Sequence, residues 1–323
     1  MTLSTVRGLV AVIAFGIATA SFAQAFPTKP IRVVIGFSPG GITDIRARYY
    51  AHKLTESLGQ SIVIDNKPGA SGAIAAEFVA KAPADGYTLL WGTINELSLV
   101  PAMGMARGYD ARKDFAGISL ASAGYPALIV WPGQGANTVR DLVALARSKP
   151  GKLNFASAGT STHQHFIAAY FAKQVGAEFT LVPYKGSGPA YPDLIAGHVQ
   201  AILGYTLEFM QYVKTGKLKA LAILGPRRMP ALPEVPTMAE AGYPGFEVNG
   251  WQGFFAPATT PAEILNRLNV AIVQVGTSAE LGRMLEETGS EFIAMTPREF
   301  SDFHRMDLEK WTKIVKEAGV KIE

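Results

Sequence analysis

Ile31-Arg32-Val33-Val34-Ile35-Gly36-Phe37-Ser38-Pro39-Gly40-Gly41-Ile42-Thr43-Asp44 is the stretch on which the fold turns. Its first half, 31–37, is short, β-branched and almost wholly apolar, the pattern of a strand buried on both faces. Its second half breaks at Pro-Gly-Gly and runs into 44–58, where Ile45, Tyr49, Leu54 and Leu58 recur near helical spacing. A buried strand that feeds a loop and then a helix is the repeating unit of a parallel or mixed sheet covered by helices. The unit returns along the chain. Strands are predicted at 61–65, 87–91, 127–131, 153–157, 179–182, 199–203 and 218–224, and helices at 73–81, 165–175 and 189–196. A further helix opens at Thr138-Val139-Arg140-Asp141 with a threonine cap. Two late helices carry Thr260-Pro261-Ala262-Glu263 and Thr296-Pro297-Arg298-Glu299, both read as capping boxes with proline at the first helical position. Ile264, Leu265, Leu268, Ile272 and Val275 form an apolar stripe on the first of these.

In such sheets ligands sit at the carboxyl ends of strands, where loops meet helix N-termini. Two post-strand loops stand out. The first holds Phe37, Ser38, Gly40, Gly41, Thr43 and Asp44: two glycines allow close backbone approach, two hydroxyls flank them, and the helix start offers free N–H donors. Such donors suit a carboxylate. Asp44 is expected to hold a ligand amine, hydroxyl or bridging water; the alternative is a tight turn in which Thr43 or Asp44 only caps the helix. The second loop holds Ser157, Ala158, Gly159, Thr160, Ser161 and Thr162, with four hydroxyls in six residues, and Ser161 to Gln164 reads as a capping box. His163 and His165 lie two apart and share no helix face, so a metal site is not expected. Neither loop contains a lysine, and Arg46 and Arg48 fall inside the following helix. Neutral donors are therefore expected to carry recognition, and substitution of either arginine to have little effect.

Composition narrows the function classes. The chain has 323 residues, 48% of them hydrophobic and 17% charged, which is globular and long enough for two domains. There is no cysteine, which excludes disulfides, thiolate metal sites and cysteine nucleophiles. Thirty basic against 26 acidic residues leave +4, a mild excess that does not point at nucleic acid. Neither a nucleophile elbow nor HExxH is present, so an enzyme is not expected. Residues 1–25 read as a cleaved export signal: Arg7, an apolar run from Leu9 to Ala20, and Ala23-Gln24-Ala25 before Phe26. A periplasmic location follows.

Several segments resemble one family in order and spacing. Phe26-Pro27-Thr28-Lys29-Pro30-Ile31-Arg32 and residues 37–44 are similar to the opening of the Bug/TctC receptors of tripartite tricarboxylate transporters. Val63-Ile64-Asp65-Asn66-Lys67-Pro68-Gly69-Ala70-Ser71-Gly72 resembles that family's V-x-N-[KR]-P-G-A-x-G segment. Residues 85–90, 149–157, 182–187, 232–242 and 254–257 continue the match. The resemblance implies a two-lobed Venus-flytrap fold of the periplasmic-binding-protein type, each lobe a mixed sheet flanked by helices. Lobe one would comprise 26–124 plus 246–323 and lobe two 125–245. It also implies a small organic carboxylate gripped between the two loops, often through ordered waters, and passed to the transporter's membrane components by a monomeric receptor without cofactor. Thr93 and Asn95, after the third strand, are expected at the cleft. Two departures bear on the ligand: Ile94-Asn95-Glu96 replaces small polar residues, and Tyr205 stands where the family commonly has an acid. Glu96 either faces the cleft or is a solvated loop charge. A receptor that signals to a sensor kinase is the alternative function; a hydrolase built on Ser161 and His165 ranks behind both.

Overall fold

Residues 26–160, 162–184, 186–287 and 289–318 are described by a computed structural model. The expected export signal and Ser161 lie outside the described residues. The chain forms two mixed sheets, each covered by helices. In the first sheet, β1 (Ile31–Ile35) pairs in parallel with β2 (Ile62–Asn66) and β3 (Thr88–Thr93). Two long strands join it antiparallel to their neighbours in the order β4, β10, β3: β4 (Phe115–Gly124) and β10 (Gly250–Pro257). The short β11 (Ser290–Glu291) closes the edge beside β4. The second sheet runs β7-β6-β8-β5-β9, from β5 (Ala127–Val130), β6 (Asn154–Ser157), β7 (Thr180–Pro183), β8 (Ala201–Gly204) and β9 (Lys219–Ile223). Strands β6, β7 and β8 run parallel, whereas β5 runs against β8 and β9.

Why β1 carries no polar alternation is visible in its packing. Val33 and Ile35 meet one face of the sheet, under α1 (Ile42–Leu58) and α7 (Ala262–Gly276). Val34 meets the other, under α2 (Ala73–Ala80) and α9 (Pro297–Ala318). Both faces are buried, so the period-two signal vanishes. Among the remaining helices, α3 (Val139–Ser148), α4 (His163–Gln174), α5 (Ala190–Ala196) and α6 (Thr206–Lys214) flank the second sheet; α8 (Ala279–Glu287) follows α7. One of the two expected late caps departs from expectation. Thr260 makes no cap bond, because Pro261 is itself the N-cap of α7 with ψ 138°, and the Thr260 hydroxyl is buried without a partner. The box at α9 does form: Thr296 N–H donates to Glu299 at 2.8 Å and Glu299 N–H to Thr296 Oγ1 at 3.3 Å.

The connections position the site. Only Tyr125 and Pro126 separate the end of β4 from the start of β5. Since β5 is antiparallel to β8, its start lies at the carboxyl end of β8, and β6 and β7 end at that same edge. A two-residue link therefore brings the carboxyl edge of one sheet, where β1 and β3 end, to the carboxyl edge of the other. The return passes from β9 through 224–249 into β10.

Candidate functional site

On the first edge, the loop after β1 is shaped from within. The end of β1 lies so close to residues 70–72 that a Cβ on Gly36 would fall 2.4 Å from Gly72 Cα. Gly40 adopts φ +86°, a region that favours glycine. Its N–H donates to Asp44 Oδ2 at 3.0 Å. The same carboxylate accepts from Arg48 Nε at 2.8 Å and Asn66 Nδ2 at 2.9 Å, and Asn66 Nδ2 also donates to the Phe37 carbonyl. Asp44 is buried, and the Arg48 hydrogen bond, with help from Gly40 and Asn66, outweighs desolvation and holds its pKa down at about 2. Its oxygens are thus taken by the chain's own donors. This corrects the expectation that Asp44 offers its carboxylate to the ligand: it braces the loop instead.

What faces outward is the start of α1. Its N-cap is Gly41, with no side-chain cap bond, rather than Thr43 or Asp44. The N–H groups of Ile42 and Thr43 lie in the first turn, where no preceding carbonyl can accept them. Ser38, Gly40 and Gly41 beside them are exposed. Thr43 Oγ1 accepts from Gln252 Nε2 at 3.1 Å, and Trp91 Nε1 fixes the Gln252 amide through its oxygen at 3.3 Å. A hydroxyl that accepts from an amide keeps its own proton to donate. Gln252 was not singled out by sequence reading, and no local signal marks it.

On the second edge the hydroxyls divide. Ser157 is fully buried and its Oγ meets His165 Nδ1 at 2.8 Å, so it is no open donor; burial lowers the His165 pKa. Thr162 is the N-cap of α4: its Oγ1 accepts from His165 N–H at 3.3 Å and donates to the Gly159 carbonyl at 2.7 Å. The cap thus sits one residue after the expected Ser161. Gly159 has φ +134°, and a Cβ there would crowd the Tyr184 carbonyl at 3.3 Å. Thr160 is exposed, and the first-turn N–H groups of His163 and Gln164 have no intrahelical acceptor. Ala158 is tied to the neighbouring loop by Gly186 N–H.

Thr93, Ile94 and Glu96 are buried and Asn95 is half-buried. Glu96 is fully buried, with Oε1 accepting from Thr93 N–H and Oε2 from Thr93 Oγ1, both at 2.6 Å. It neither faces the cleft nor is solvated, which overturns both expectations for it. Burial raises its pKa to about 7. The Thr93 hydroxyl is spent on Glu96, and the Asn95 side-chain oxygen is buried without a partner. The Thr93 hydroxyl is therefore no open donor, contrary to expectation.

Tyr205, at the start of α6, lies between the lobes. Its hydroxyl is 2.9 Å from His163 Nδ1, and a Cβ on Gly250 of β10 would strike that hydroxyl at 2.3 Å. Burial pushes the Tyr205 pKa up and lowers that of His163 to about 3, so both the imidazole and the phenol are neutral at physiological pH. Glu208 braces this side as Asp44 braces the other: it accepts from Tyr205 N–H at 3.0 Å and Ser187 Oγ at 2.5 Å. The two His residues reach different partners, Tyr205 and Ser157, so they do not converge. Two helix starts, each with first-turn N–H groups outside the intrahelical ladder, thus lie at the carboxyl edges of the two sheets beside exposed Gly40, Gly41 and Thr160.

Comparison with known proteins identifies the family and the fold. The model of the tripartite tricarboxylate transporter family receptors, TctC, matches residues 46–320. Protein BugT of Bordetella pertussis is 34% identical over 98% of both chains. The solved structure of an R. palustris protein with adipate is 35% identical at TM-score 0.81, covering 91% of this chain and 98% of that one. MatC from Rhodopseudomonas palustris with bound malate is 30% identical at TM-score 0.79, over 90% and 100%. Family match, relatives and fold coincide over nearly the whole described chain, which belongs to the TctC/Bug family of solute-binding receptors.

Proposed function

We propose that this receptor works in the periplasm, after removal of residues 1–25, where it takes up a small organic carboxylate between its lobes. It then delivers the carboxylate to the membrane components of a tripartite tricarboxylate transporter. The observation that carries this reading is the pair of helix N-termini on facing edges, each with first-turn N–H groups left for an anion. The donors are Gly41, Ile42 and Thr43 on lobe one and Gly159, Thr160, His163 and Gln164 on lobe two; Asp44, Thr162 and Glu208 hold them in place. A carboxylate bridging both sets gains only when the lobes are together, so binding favours closure. The adipate and malate of the two solved relatives support a carboxylate as ligand.

The test is calorimetric titration of the mature protein against mono-, di- and tricarboxylates. Thr160→Ala is expected to weaken the best ligand about tenfold, or 1.4 kcal/mol, without lowering the melting temperature of the unliganded protein. Binding of amines or sugars in preference to carboxylates would refute the reading.

A further inference from the structure

Two short chains of contact lead from the buried carboxyl group of Glu96 to the donors at the start of α1. Glu96 lies in the turn Asn95–Leu99 after β3, and its carboxyl group folds back onto Thr93. The first chain runs through glycines. A Cβ on Gly72 would lie 2.7 Å from Glu96 Oε2, and a Cβ on Gly36 would lie 2.4 Å from Gly72 Cα. Gly36 leads straight into the loop that ends at the Gly41, Ile42 and Thr43 donors. Between these glycines the backbone is held in an uncommon shape, with φ +47° at Ala70 and +52° at Ser71. The second chain crosses the sheet: Thr93 is the register partner of Gln252, and Gln252 donates to Thr43 Oγ1. The carboxyl group therefore sits behind the helix start, with packed backbone between them.

No cation pairs with Glu96 among the described residues. Tyr109 donates its hydroxyl to the Glu96 carbonyl at 2.5 Å, and burial keeps that phenol un-ionised. From α9, His304 and Asp307 bond to the next residues of the turn, the Leu97 carbonyl and the Ser98 hydroxyl. From α2, Glu77 pairs with Lys81. Burial without a counter-charge raises the Glu96 pKa to about 7. A charge formed there acts through protein rather than water, so its field reaches further.

We propose that Glu96 is a proton-binding site coupled to the ligand site, so that this receptor takes up a proton with its carboxylate. The proposal rests on the reading above, in which the lobe-one helix start helps to hold the carboxylate. An ionised Glu96 puts a second negative charge behind those donors and weakens their pull on an anion; protonation removes it. By linkage, the bound carboxylate favours the proton on Glu96 to the same extent. His163 and His165, at the other helix start, have their pKa values lowered by burial and add no charge at neutral pH.

The experiment titrates wild type and Glu96→Gln by calorimetry from about pH 6 to about pH 8.5, in paired buffers of different ionisation heat. The probe is the tightest binder among adipate, malate and the other carboxylates titrated as above. Wild-type affinity is expected to fall about three- to tenfold over that range, with roughly 0.3–0.5 proton taken up per ligand bound near the midpoint. Glu96→Gln is expected to keep its affinity throughout and to take up no proton. Ionisation of the probe itself is common to both proteins and cancels in the comparison. Thr93→Val removes a hydroxyl that favours the ionised form, so it is expected to move the profile to higher pH, which keeps the test open if Glu96→Gln does not fold. Binding without proton uptake, a Glu96→Gln profile with the wild-type slope, or a Thr93→Val profile that does not move would overturn the proposal and leave the carboxylate reading intact. Wild type that binds none of the carboxylates would overturn both.

Discussion

Asp44 and Glu96 are both buried acids, yet pH acts on them in opposite senses. Asp44 has a folded-state pKa of about 2, below its ordinary 3.8, because Arg48, Gly40 and Asn66 all donate to it. Its contribution to stability is fully present above pH 4 and is lost as pH falls toward 2. Asp44→Asn is expected to cost on the order of 2 kcal/mol at pH 7 in urea unfolding, with the difference from wild type shrinking toward pH 2. Glu96 is the reverse case. Its pKa rises from 4.5 to about 7 on burial, so the folded chain keeps a proton that the unfolded chain releases. Its effect is to make stability fall as pH rises from about 4.5 to 7. Glu96→Gln retains an oxygen for Thr93 N–H and cannot titrate. The variant is expected to gain on wild type across that interval, and a constant offset between the two unfolding curves would show that Glu96 does not titrate there.

At the scale of elements, the cap of α4 and the loop before it separate stability from recognition. Thr162→Ala removes the bond to His165 N–H and the tie to Gly159, and is expected to lower stability by about 1 kcal/mol as well as affinity. Thr162→Ser should restore both, which thermal melts and titrations together would check. Thr160→Ala, by contrast, should move affinity alone. The sequence made these loops legible because glycine and hydroxyls crowd into them between a buried strand and a helix. It could not apportion the hydroxyls: Ser157 and Thr160 look alike in the chain, but one is at the buried end of β6 and the other is exposed. The βα alternation was equally legible, whereas β4 and β10 were not. Phe115–Gly124 reads Phe-Ala-Gly-Ile-Ser-Leu-Ala-Ser-Ala-Gly, small and without alternation, and becomes a strand through burial between helix layers on both faces. Missing those two strands hid Ser122, which accepts from Arg46, and Gln252, which donates to Thr43.

The whole molecule is less divided than two sheets suggest. One apolar core runs from Val34 and Leu90 through Trp251 and Trp311 into Phe155, Phe166 and Phe171 of the second sheet and α4. Trp311 of α9 is buried against α4, with its ring 4.9 Å from that of His163 and 6.3 Å from Phe166. The two sheets are therefore joined by a packed contact between α9 and α4, and Arg227, in the segment after β9, pairs with Glu291 of β11. Trp311→Ala is expected to cost about 3–5 kcal/mol in chemical unfolding, the range for large-to-small changes in a core. A loss below 1 kcal/mol would mean that the lobes are joined by their connecting strands alone. The central claim, that both lobes grip one carboxylate through helix-start donors, is tested most directly by a crystal structure with the carboxylate that binds best. The account expects one carboxylate within hydrogen-bond reach of N–H groups from both the 41–43 and the 159–164 segments. A carboxylate held by one lobe only, or bound away from both segments, would contradict it.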